Sequence, residues 1–94
     1  MFSLNFSVPV FADSKMELGL EVFKNKAQCG MCHVLKVARS EGQIGPNLDE
    51  LKPLMPQVIL VVTNGIGVMP AFEEMLSTKE IEAVAHFVST SAGQ

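Results

Sequence analysis

The chain has no tryptophan and no tyrosine, and only two cysteines and two histidines among its 94 residues. Six phenylalanines and the aliphatic residues must therefore build whatever core it has. Like charges do not cluster, and the net charge is −3. A nucleic-acid partner requires a basic face, so this balance excludes one. It also gives no polybasic signal for an anionic membrane surface. Internal repeats and low-complexity tracts are absent, and no segment reads as a clear strand. The length fits one domain. A domain this small buries a limited share of its surface and often needs a staple.

Residues 1–12 differ from the rest. They carry no charge and run Phe2, Leu4, Phe6, Val8, Val10, Phe11. The stretch is far too short to cross a bilayer. Val10-Phe11-Ala12 before Asp13 resembles a small-residue cleavage site, although a basic leading region is missing. The segment reads as the remnant of an export signal or as an extended arm. Residues 13–94 then form the domain.

The most informative stretch is Cys29-Gly30-Met31-Cys32-His33. Two cysteines three apart with a histidine next to the second read as a covalent haem attachment site. Each thiol can add across one haem vinyl group to form a thioether. His33 then lies under the ring and can ligate iron through Nε2. A zinc site usually takes four Cys or His ligands, and the chain has few to offer. A thioredoxin-like redox pair would sit among alternating strands and helices, which are not evident here.

Helix signals surround the motif. Ser14 and Glu17 have capping-box spacing, and Leu18, Val22 and Phe23 continue a helix from about Lys15 to Ala27. Residues 34–47 read as a loop. Asn47 can cap a short helix, Leu48 to Lys52, stopped by Pro53. Pro56 suits the first turn of a helix through about Thr63, ended by Asn64 and Gly65. Ser77 and Glu80 form a second capping box before Ile81, Val84, Ala85 and Val88, which mark one face of a helix to about Ser89. The fold class is all-α, with about four helices and long loops around a cofactor.

The second axial position decides function. An open position suits ligand binding or peroxide chemistry, and a filled one suits electron transfer. Met1 and Met16 lie in the arm and first helix, and Met31 is too close to His33 in sequence to reach the opposite face. Met55 sits between prolines, and Met75 reads as core. Met69 lies in Asn64-Gly65-Ile66-Gly67-Val68-Met69-Pro70, where glycines permit close approach and Pro70 holds the chain extended. Met69 is the expected ligand. His86 faces away from the apolar side of the last helix and reads as exposed.

Gly19, Phe23, the Cys29–His33 motif, Gly45-Pro46-Asn47-Leu48, Asn64 through Phe72 and the final helix together resemble a class I cytochrome c. The likeness covers residues 14–90. It is closer to short bacterial, algal and cyanobacterial members than to mitochondrial ones, because His33 and Met69 are close in sequence. The resemblance implies the cytochrome c fold and one covalent haem c with His33 and Met69 as iron ligands. It implies that Gly19 lets the first and last helices cross closely, with Phe23 against Val84 and Phe87. It implies that the Pro46 carbonyl takes the Nδ1 proton of His33, where the bare reading of Gly45-Pro46 is a turn. Asn64 either bonds near the Met69 sulfur or simply ends its helix.

The expected function is one-electron transfer rather than enzymatic catalysis, between a redox donor and a redox acceptor protein. The expected form is a monomer in the periplasm, thylakoid lumen or another extracytoplasmic space, without stable membrane insertion. Met31, Ile66, Val68, Ala71 and Phe72 would form the apolar docking patch. The alternatives are a peroxidase or ligand-binding haem protein with an open sixth site, and a cytochrome subunit of a larger oxidoreductase.

Overall fold

A computed structural model describes residues 14–94, so the expected signal remnant or arm lies outside the described residues. Four α-helices follow in order: α1 Ser14–Glu21, α2 Leu48–Leu51, α3 Met55–Asn64 and α4 Thr78–Ser91. The all-α expectation holds, with one small exception. Val34–Leu35 (β1) pairs antiparallel with Ser40–Glu41 (β2), Val34 opposite Glu41. Two residues are too few to show a strand period, which is why the segment reads as loop in the sequence.

The first helix does not run regularly to Ala27. After Glu21 it widens into a π-turn, Val22–Lys26, closed by the Ala27 N–H donating to Val22 O at 2.8 Å. The wider turn lets Val22 and Phe23, adjacent in sequence, both be fully buried. It also brings Lys26 to an ion pair with Glu80 at the start of α4.

Helices α1 and α4 pack through Gly19. A Cβ there would fall 2.3 Å from Ala83 O and 2.5 Å from Phe87 Cβ, so only glycine allows this approach. Next to it, the Phe23 and Phe87 rings meet edge-on, with centroids 5.8 Å apart at 62°. Val84, Val88 and Ile81 extend the same buried face of α4. Ser77 starts that helix as expected. Its Oγ accepts from Glu80 N at 3.1 Å, and its own N–H donates to Glu80 Oε1 at 2.9 Å.

Helix α2 is one turn, capped by Asn47 Oδ1 accepting from Glu50 N. Asp49 ties it to two distant segments. Oδ1 accepts from Gly93 N and Oδ2 from Lys36 N, each at 2.8 Å. The short helix thereby holds the loop after the Cys-His motif and the residues beyond α4. Leu48, on its inner side, is buried.

Candidate haem-binding site

After the π-turn, Gln28 adopts the left-handed region, at φ 53°, and turns the chain into a 3-10 turn, Cys29–Met31. The N–H groups of Cys32 and His33 both donate to Cys29 O, at 3.1 and 3.0 Å. One tight turn thus carries both cysteines and the histidine. Burial pushes the Cys29 thiol up to about 11, with the charge of Cys32 adding to it. Among the described residues no group of three or more His, Cys, Asp and Glu side chains is placed to hold a metal ion. That arrangement does not fit a structural zinc site.

The segment after β2 clamps the imidazole. Gly45 N donates to Cys32 O at 2.7 Å. A Cβ on Gly45 would lie 2.5 Å from His33 Cε1, so the backbone rests against the ring. The next residue, Pro46, has its carbonyl oxygen 2.7 Å from His33 Nδ1. A carbonyl only accepts, so Nδ1 carries the proton and Nε2 keeps its lone pair.

The Met69 segment is pinned at both ends. Ile66 and Met69 exchange both backbone hydrogen bonds, at 3.0 and 2.9 Å. Between them Gly67 has φ +57°, and Val68 does not share its positive sign. This is the pattern of a tight hairpin turn with glycine at its first central position. Gly65 N donates back to Val61 O on one side, and Phe72 N donates to Val62 O on the other. Phe72 is buried and anchors the loop, so it does not belong to an exposed docking patch as the sequence reading expects. Met69 is half-buried and packs against the core.

Two adjoining cavities, of about 260 and 410 Å³, are both walled by Cys29, His33, Pro46, Ile66 and Met69. Together they fall within the roughly 300–1,000 Å³ of cofactor sites. Phe23, Leu48, Val58, Val62, Val84 and Val88 make the inner one strongly apolar. Cys32, Met31, Ile44 and Val68 border the outer one. Thiols, an imidazole nitrogen and a thioether around an apolar slot are the donor set that a covalent haem requires, and the residues present fit that group.

Five of the six expected site residues meet at these walls. Asn64 closes α3, is exposed and lies outside both linings. Met75 is exposed rather than core, whereas Met55 packs against the core. His86 is half-buried rather than exposed, and lies away from both cavities. Sequence reasoning missed Ile44, 71% exposed beside the outer cavity, and Gln57 in the inner wall. Neither carries a motif signal.

A histidine-bearing thiol turn, a pinned methionine loop and crossed first and last helices define a c-type cytochrome. The sequence pattern of the family described as "Cytochrome C oxidase, cbb3-type, subunit III" matches residues 14–88. Cytochrome c6 of Microcystis aeruginosa is 33% identical over 82 residues, 79% of this chain and 94% of that protein. Cytochrome c6 of Picosynechococcus sp. is 33% identical over 98 residues, covering 93% and 81%. The crystal structure of the c-type cytochrome SorU from Sinorhizobium meliloti superposes with a TM-score of 0.83 at 51% identity, over 87% of this chain and 95% of that one. The chain belongs to the cytochrome c family, as a small class I monohaem cytochrome c. It is a haem c electron carrier, with iron held in a covalently bound haem, and not an enzyme. No helix among the described residues is long and apolar enough to cross a membrane.

Proposed function

We propose that His33 Nε2 and the Met69 sulfur hold the haem iron from its two faces, with Cys29 and Cys32 as the thioether anchors. One observation carries this reading: His33, fixed by Pro46 as an Nδ1–H tautomer, and Met69, fixed by its turn, wall the same pair of cavities. When bound, the haem supplies an iron that accepts and returns one electron. The protein's task is to change little while that happens. Pro46 keeps the proton on Nδ1 and raises the basicity of Nε2. The apolar inner wall excludes water, and Met/His ligation raises the potential. Asn64 lies outside the walls, which favours its helix-ending role over a bond near the sulfur.

Met31, Ile66 and Val68 are 69%, 63% and 88% exposed around the outer cavity, and Ile44 joins them. They support docking of larger redox proteins at the thioether edge. Charges around such a patch steer the encounter more than they tighten it. The carrier works as a monomer in an extracytoplasmic compartment, the periplasm or a thylakoid lumen, reached through a signal in residues 1–12. Visible spectra of the haem-loaded protein and its Met69→Ala variant test the ligation. Loss of the low-spin spectrum in the variant alone is the expected outcome, and an open sixth site in the unmutated protein contradicts it.

A further inference from the structure

Leu51 at the end of α2, Pro53 in the connection and Gln57 in the first turn of α3 form part of the inner cavity's wall. None of the three borders the outer cavity, and Cys32 borders only the outer one. Haem carries its vinyl groups on one edge and its two carboxylates on the edge across the ring. Thioethers at Cys29 and Cys32 therefore turn the carboxylate edge toward this connection.

The wall there is short of donors. Among the described residues, Gln57 is its only polar side chain apart from His33 and Cys29, and no Lys, Arg or Ser lines it. Gln57 is already oriented. Its Oε1 accepts from Leu54 N at 3.3 Å, and because an N–H can only donate, the facing atom is the oxygen. The Nε2 donors are thereby left for another partner. Lys52, the nearest cation in sequence, is drawn elsewhere: its stem lies over Gly93, where a Cβ would fall 2.7 Å from Lys52 Cε. Of the remaining charged groups, Asp49 is bonded to Lys36 N and Gly93 N, and Glu50 is exposed on α2. Helix α3 carries no charged residue, and on α4 neither Glu82 nor His86 reaches the lining.

We propose that Gln57 Nε2 donates to a haem carboxylate and positions that edge of the ring with a neutral amide in place of a cation. The inference rests on the haem-carrier reading. A carboxylate held this way keeps its negative charge close to the iron. The ionised form favours ferric iron, so the midpoint potential falls across the pH range in which the carboxylate ionises. A donor to the ionised form holds that range down.

The test is the midpoint potential of the haem-loaded protein between pH 5 and 9, for the parent chain, Gln57→Leu, Gln57→Glu and the exposed control Leu60→Ala. In Gln57→Leu the fall moves up by about one pH unit, the size of one amide hydrogen bond to a charged group. In Gln57→Glu a second negative charge moves it further up, and this variant carries the test if Gln57→Leu does not load haem. Leu60→Ala leaves the profile unchanged. Profiles of the Gln57 variants that superpose on the parent, flat ones included, overturn the proposal while leaving the carrier reading intact. A parent chain that acquires no covalent haem overturns both.

Discussion

The carbonyl oxygen of Pro46 accepts the Nδ1 proton of His33 across 2.7 Å. The bond is enforced by the neighbouring residue, since the backbone of Gly45 leaves no room for a Cβ against the ring. Gly45→Ala must displace either the imidazole or the Gly45–Pro46 segment. The expected cost is that of overpacking, about 1–3 kcal/mol, read by denaturant unfolding of the ferric protein. A weakened Nδ1 bond also makes Nε2 a poorer donor. Ferric iron then gains less from the ligand, and the midpoint potential rises. A variant with unchanged stability and potential would show that the contact does not constrain His33.

Gly19 tests the helix crossing in the same way. Gly19→Ala gains about 1 kcal/mol of helix propensity. It also sets a methyl group 2.3 Å from Ala83 O, which only a backbone shift can relieve. A net loss of up to about 2 kcal/mol is expected, with Phe23 and Phe87 forced apart. A more stable variant would mean that the helices separate freely.

Stability should decline in acid partly through Asp49. The bond from Gly93 N, and then that from Lys36 N, hold its carboxyl below the usual carboxylate value. A lowered folded value means stabilisation that is present above the unfolded value of about 3.9 and is lost as pH falls through the folded one. Asp49→Asn should flatten the acid limb of a melting-temperature profile below about pH 4 and leave the limb above neutrality unchanged. Glu80, lowered by Lys26 and by Ser77, contributes to the slope in the same direction. An unaltered acid limb would mean that Asp49 contributes nothing to acid lability.

Helix content should depend on the haem. The loops of residues 34–47 and 65–76 border the cavities through Ile44, Pro46, Ile66, Val68 and Met69, and Ile44, Ile66 and Val68 are exposed with little else to pack on. Circular dichroism of the apoprotein should show much less helix than the holoprotein. A fully helical apoprotein that melts cooperatively would contradict this.

The chemistry was more legible in the sequence than the packing. Cys29 to His33, Gly45-Pro46 and the Met69 loop are local patterns whose geometry follows from a few dihedrals, and the structure gathers them around one slot. The Ser77 box and the Asn47 cap were legible for the same reason. The π-turn at Val22–Lys26 was not, because one extra residue in a turn leaves no mark in a helical period. Phe72 and Met75 exchange their expected places, since burial in a loop is set by what the chain crosses rather than by alternation. Asp49 and Gln57 bond to backbone groups or face a wall built from several segments, and such partners are invisible to a linear reading.

Electron transfer without a change of coordination requires Met69 to fill the sixth position. The direct measurement is the weak sulfur-to-iron absorption band near the red end of the oxidised spectrum, taken with the midpoint potential. With Met69 bound, the band is present in the unmutated protein, in Met55→Leu and in Met75→Leu. In Met69→Ala it should be lost, with a lower potential, because thioether sulfur favours ferrous iron. A band that survives Met69→Ala with the potential unmoved would contradict the assignment.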